Sequence, residues 1–181
     1  AHATGTIGNG HGTAAYYGLE KEVDIQLGTL SKSLGSVGGY VAANSVIIDY
    51  LVNMSRSFIF STALSPADIG AALAALQIIE SDSSVLRRLQ DNVNYMTDCL
   101  NSMGIYATNE TPIFPILIGS NEDTLAVSHH LYNAGIIGTA IRPPTVPVGE
   151  SRIRLTVTAA HNREQIDYVC RTLDKAIKTL A

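Results

Sequence analysis

One lysine, Lys32, stands in the stretch GTLSKSLGSVGGY (residues 28–40), where seven of the other twelve residues are Gly or Ser. A neutral lysine amine condenses with an aldehyde to give a Schiff base. Small neighbours leave room for a large, flat aldehyde, and Gly35, Gly38 and Gly39 let backbone and ring approach closely. Hydroxyls at Thr29, Ser31 and Ser33 offer partners for a phosphate tail. On composition alone, a lysine in a Ser/Gly surface loop remains the other reading. Two lookalikes fail. GTLSKS lacks the glycine that precedes the lysine of a phosphate loop, and GNGHG lacks both the dinucleotide spacing and a strand before it.

A second candidate is Arg154. RIRLTVT alternates strictly, with Ile153, Leu155 and Val157 on one face and Arg152, Arg154, Thr156 and Thr158 on the other. A guanidinium grips a carboxylate with two prongs, which a lysine cannot do. Arg152 shares the face and reads as a solvated strand charge. His129 and His130 are adjacent on a helix, so both cannot face one metal, and they read as surface residues. Cys99 and Cys170 have no Cys–Cys or Cys–His metal spacing and read as buried free thiols in a reducing cytosol. No metal is expected.

The remaining sequence must position these groups. With 181 residues, 46% of them hydrophobic, the chain can bury a sizeable core. Twelve basic and 16 acidic residues give a net charge of −4, and no basic stripe points to nucleic acid or a membrane surface. No apolar run approaches the ~20 residues of a membrane span. No secretion signal is visible, and a cytoplasmic location is expected.

VDIQL (residues 23–27), GGYVAA and SFIFST read as short strands of an α/β sheet buried on both faces. Ser65, Pro66 and Asp68 start a helix as N-cap, N1 proline and capping acid, followed by Ile69, Leu73, Leu76 and Ile79. A second helical run, Leu86, Leu89, Val93, Met96, Leu100 and Met103, stops at Gly104. Residues 65–103 therefore read as helices connecting two lobes. Beyond them the pattern is α+β. IFPILIG and IIGTAIR read as strands, and Asn121 caps a helix through Leu125 and Leu131 that ends near Gly135. Asn162 starts a last helix with Ile166, Val169, Leu173 and Ile177. The glycine-rich opening AHATGTIGNGHG, without Met, reads as the beginning of the C-terminal part of a longer chain.

The run from Thr29 to Gly38, TLSKSLGSVG, resembles the cofactor-attachment signature of class II aminotransferase-like enzymes that use pyridoxal 5′-phosphate (PLP). AHATGTIGNGHG, FIFSTALSP (residues 58–66) and AIRPPTVPVGESRIRLTVTAAH (residues 140–161) extend the match to the α-oxoamine synthases. The last stretch is most similar to the branch that acts in biotin biosynthesis. The resemblance implies an α/β chain, the C-terminal part of a fold-type I PLP transferase. Residues 1–64 would close the large domain, 65–103 would connect, and 104–181 would form a small α+β domain.

It implies Lys32 as both the Schiff-base lysine and the proton carrier, with His2 against the cofactor's phenolic oxygen. The residues alone also allow His2 as a turn-capping histidine. Thr29 would hold phosphate or ring oxygen. Ser61 and Thr62 would reach the phosphate of a neighbouring subunit, so a homodimer is expected. Arg154 would grip the substrate carboxylate, with Thr145 and Arg142 near the acyl substrate. The acid that protonates the pyridine would lie two residues ahead of Ala1.

The implied reaction is condensation of L-alanine with pimeloyl-CoA, or its carrier-protein form, with loss of CO2. Other members of the family would use glycine and a different acyl-CoA, as glycine C-acetyltransferase does. A reading of another class is an inactive fragment with a structural or dimerisation role.

Overall fold

The computed structural model describes residues 1–180. The chain divides into two compact units, one covering Ala1–Leu86 and the other beginning at Arg87.

The first unit opens on a 3-10 turn, Gly8–Gly10, and a single helical turn α1, Thr13–Tyr16. Strands β1, Ile25–Thr29, and β2, Gly39–Ala43, pair antiparallel, with Gly28 opposite Tyr40 and Thr29 opposite Gly39. Helix α2, Ser45–Met54, is capped by the Asn44 side chain, which accepts from Ile47 N. SFIFST is not a strand. Residues Arg56–Ile59 form a helical turn, α3, in which Ile59 N and Phe60 N bond the carbonyls of Ser55 and Arg56. Local i→i+4 bonds there override the strand preference of aromatic and branched residues, which depends on a neighbouring strand to pair with. Helix α4, Pro66–Ser81, begins as its sequence requires: Ser65 Oγ accepts from Asp68 N and donates to the Asp68 carboxylate.

The expected double-sided burial of strands is not seen in this unit. Among the described residues its buried hydrophobic side chains are Leu34 and Ala72, whereas Leu27, Val46 and Phe60 are each about three-quarters exposed. The apolar positions Ile69, Leu73 and Leu76 of α4 are likewise exposed.

The second unit contains a conventional core. It includes most of α5, Ser83–Ser102, followed by β3, Ile113–Gly119; α6, Asn121–Asn133; β4, Thr139–Ile141; β5, Ser151–Thr156; and α7, Arg163–Lys178. The sheet is antiparallel with order β3-β5-β4. One face of the sheet, Phe114, Ile116, Ile153, Leu155 and Val157, packs with Val93, Met96 and Leu100 of α5, Val127 and Leu131 of α6, and Ile166, Cys170 and Leu173 of α7. The alternation read in β5 is therefore real. Leu173 is fully buried. Leu173→Ala is expected to lower unfolding free energy by about 3 kcal/mol, read as a lower urea midpoint at unchanged slope.

Caps define the helix ends. Gly104, at φ +76°, stops α5, and Ile105 N reaches back to Leu100 O at 3.0 Å. The N-cap of α6 is Ser120, one residue earlier than the sequence suggests. Its hydroxyl accepts from Asp123 N, and Asn121 instead accepts from Ser151 Oγ. A full capping box, Asn162 with Gln165, starts α7. IIGTAIR is extended only over Thr139–Ile141.

Both cysteines are free; Cys170 is buried and Cys99 half-buried. Cys170 Sγ lies 3.6 Å from Met96 Sδ. Burial first, and the neighbouring Cys99 second, push the Cys170 thiol well above the usual range. Tyr95 pins α5 to α7 by donating to Asp167 at 2.7 Å, with the Arg163 guanidinium over its ring. That bond, then burial, raises the phenol's pKa.

Candidate active site

Lys32 lies in residues 30–38, the connection between β1 and β2. Two backbone bonds close this loop at its base, Leu30 N to Gly38 O at 2.9 Å and Ser36 N to Leu30 O at 2.8 Å. A tight turn from Lys32 to Gly35 (Gly35 N to Lys32 O, 3.0 Å) forms the tip, with Gly35 at φ +60°. Leu34 is buried and anchors the tip. Ser36 Oγ bonds Asp68 O at the start of α4 at 2.6 Å, and Ser33 Oγ donates to Thr4 O in the glycine-rich opening. A Cβ at Gly38 would lie 2.7 Å from the Leu64 side chain. The loop is therefore held on every side, while Lys32 itself is exposed. Among the described residues its amine has no hydrogen bond or ion pair. An amine without a carboxylate partner, on a fixed loop, can bond an aldehyde carbon.

Thr29 Oγ1 and Ser31 Oγ are 2.8 Å apart, and Ser31 N donates to Thr29 Oγ1 at 3.2 Å. This pair sits at the end of β1, beside the lysine, and suits a phosphate or phenolic oxygen. Ser33 does not join it, because its proton goes to Thr4 O. His2 is exposed, and its carbonyl accepts from Thr6 Oγ1 at 2.6 Å. The donor set of amine, hydroxyls and imidazole fits a phosphorylated aldehyde cofactor. Ser61 and Thr62 lie in the irregular segment after α3. They are exposed, and among the described residues their hydroxyls have no partner.

Sequence reasoning missed Tyr40. Its ring lies across Gly28, where a Cβ would come within 2.3 Å of it, and its hydroxyl is 3.3 Å from Thr4 Oγ1. The signal was available, since an aromatic facing a glycine across a hairpin has room to fold over it.

The second unit carries the other candidates. Arg154 is exposed in the central strand, opposite Pro115 and Thr139, and among the described residues its guanidinium has no partner. Arg152 differs: it is tied to the Glu150 carboxylate at 2.9 Å and to the Glu150 carbonyl at 2.9 Å. Arg142 and Thr145 end one turn, Thr145 N to Arg142 O at 3.0 Å, around the cis Pro143–Pro144 bond. Both are exposed. His129 and His130 are exposed on α6, and no cluster of three metal-ligating residues exists among the described residues. A cavity of about 610 Å³ between β5 and α7 holds none of these candidates. Its His161 is engaged in accepting from Thr158 N. No single helix among the described residues is long and apolar enough to cross a membrane.

A mixed α/β chain with a lysine-bearing hairpin loop corresponds to a known class. Residues 1–173 match the model of the class I and II aminotransferases, and the chain belongs to that family. Within the family it is similar to α-oxoamine synthases. It is 44% identical over 182 residues to the 8-amino-7-oxononanoate synthase of Lysinibacillus sphaericus, covering 99% of this chain and 47% of that one. Among solved structures, a serine palmitoyltransferase from S. paucimobilis with a bound PLP–myriocin aldimine matches at a TM-score of 0.93 and 27% identity, over 99% of this chain and 46% of that one. The 8-amino-7-oxononanoate synthase of Francisella tularensis matches at 0.87 and 25% identity, over 99% of this chain and 54% of that one. The chain spans about half the length of the curated relatives it matches.

Proposed function

We propose that the full-length protein is a PLP-dependent acyltransferase that condenses L-alanine with pimeloyl-CoA, or pimeloyl-carrier protein, to give 8-amino-7-oxononanoate, CoA and CO2 in biotin biosynthesis. The observation that carries this reading is the unpartnered Lys32 amine on its anchored loop. The 44% identity to a relative named 8-amino-7-oxononanoate synthase supports these substrates.

When bound, PLP supplies an electron sink that acidifies the bond to hydrogen at the substrate's α-carbon. Lys32 would hold the cofactor at its aldehyde carbon through Nζ. Its amine, when neutral and free, would take the α-proton of the substrate and later return one. Thr29 would hold an oxygen of the cofactor, and His2 would bind its phenolic oxygen. Ser61 and Thr62 bind the phosphate in the neighbouring subunit of a cytoplasmic homodimer. Arg154 grips the alanine carboxylate, and Arg142 and Thr145 face the acyl substrate.

The bond changes balance. The α-carbon loses its proton and bonds the thioester carbonyl carbon, the carbon–sulfur bond breaks to release CoA, and the carboxylate leaves as CO2. A proton returned to the α-carbon completes the product.

Assaying the full-length protein with alanine or glycine against pimeloyl, acetyl, succinyl and long-chain thioesters tests this reading. CoA and CO2 released one to one, with alanine and pimeloyl-CoA strongly preferred, is the expected result. Preference for glycine with another thioester would move the protein to a sister activity. No turnover with any pair would leave a structural role.

A further inference from the structure

We propose that Ser33 is a positioning residue: its hydroxyl, bonded to the Thr4 carbonyl, tethers the Lys32 loop to the turn that carries His2 and so sets the imidazole against the cofactor. This rests on the roles given above to Lys32 and His2.

Ser33 directly follows Lys32, and Thr4 lies two residues after His2, so the bond is a short bridge between the two. Both sides of the bridge are stiff. On the His2 side, Thr6 Oγ1 donates to His2 O at 2.6 Å and approaches Ala3 O at 2.9 Å, and Gly5 N bonds Gly10 O at 2.8 Å. On the lysine side, the tip is closed by Gly35 N and anchored by Leu34. The approach is close enough to require glycine at position 5. Gly5 has φ +76°, and a Cβ there would sit 2.7 Å from Ser33 Oγ and 2.9 Å from Ser33 Cβ. Tyr40 adds a second link from the same hairpin, its hydroxyl 3.3 Å from Thr4 Oγ1. A side chain shorter by one hydroxyl would leave the fold intact but uncouple the two segments.

The test uses full-length protein with PLP and the variants Ser33→Ala, Ser33→Thr, His2→Ala and the Ser33→Ala/His2→Ala pair. Borohydride reduction with peptide mapping reads the attachment at Lys32. Titration of the visible band against PLP concentration and against pH reads the surroundings of the cofactor. In Ser33→Ala the tag should stay at Lys32 and half-saturating PLP should rise about fivefold, the size of one hydrogen bond. The midpoint of the pH titration should move in the same direction as in His2→Ala. The pair should move no further than His2→Ala alone, because the two residues act through one group. Ser33→Thr, which keeps the hydroxyl, should restore the wild-type midpoint.

A Ser33→Ala protein that titrates as wild type, or effects of the two single variants that simply add, would overturn the tether and leave the role of Lys32 standing. A wild-type protein with no tag at Lys32 would overturn the proposed function and the tether with it.

Discussion

Full-length protein carrying Lys32→Ala is expected to show no pyridoxyl tag after borohydride reduction and to turn over about a thousandfold or more slowly than wild type, within the range for loss of a general acid–base group. Its fold should not change. The Lys32 side chain makes no hydrogen bond or ion pair among the described residues, its carbonyl bond from Gly35 N survives the change, and the loop is held by Ser33, Leu34, Ser36 and Gly38, none of which is altered. A melt superimposable on wild type, together with loss of the visible band, separates chemistry from stability. Lys21 is the other lysine of the first unit and lies outside the anchored loop. A tag on Lys21, or a persistent band in Lys32→Ala, would contradict the assignment.

Replacing Arg154 should act on substrate rather than cofactor. Arg154→Ala is expected to lower kcat/KM for the amino acid about a hundredfold, the effect of losing a two-pronged, charge-assisted contact of roughly 2–3 kcal/mol. PLP binding should be unaffected. Arg154→Lys should recover little, since an ammonium cannot present parallel donors. The neighbour on the same face is the control. Arg152 already bonds Glu150 through side chain and main chain, so Arg152→Ala should change KM less than threefold, as for an exposed ion pair worth at most about 1 kcal/mol. If Arg152→Ala proves the more damaging of the two, the carboxylate site is misassigned.

What was legible in the sequence was local. The caps at Ser65 and Asn162 involve residues three apart, and the stops at Gly104 and Gly135 need only a left-handed backbone at one position, which the structure has at +76° and +77°. The faces of β5 follow from a two-residue period. Lys32, Thr29 and Arg154 stand out as candidates because residue type and spacing are visible without a partner. What was not legible depended on distant partners. SFIFST has strand composition, but among the described residues no strand pairs with it, and its backbone turns on itself. Apolar spacing on α4 predicts a helix but not burial, and Ile69 and Leu73 are both more than half exposed. Ser33 reads as one more phosphate hydroxyl, because nothing in the loop's own sequence shows that Thr4, 29 residues away, occupies it.

The overlap of Tyr40 with the place a side chain would take at Gly28 links two positions in the protein's history. While an aromatic ring occupies position 40, any mutation that adds a methyl at 28 forces the ring away from Thr4. Once the ring has been replaced by a small residue, the same methyl is tolerated. Whether a substitution at 28 displaces a ring is therefore decided by which of the two codons drifts first.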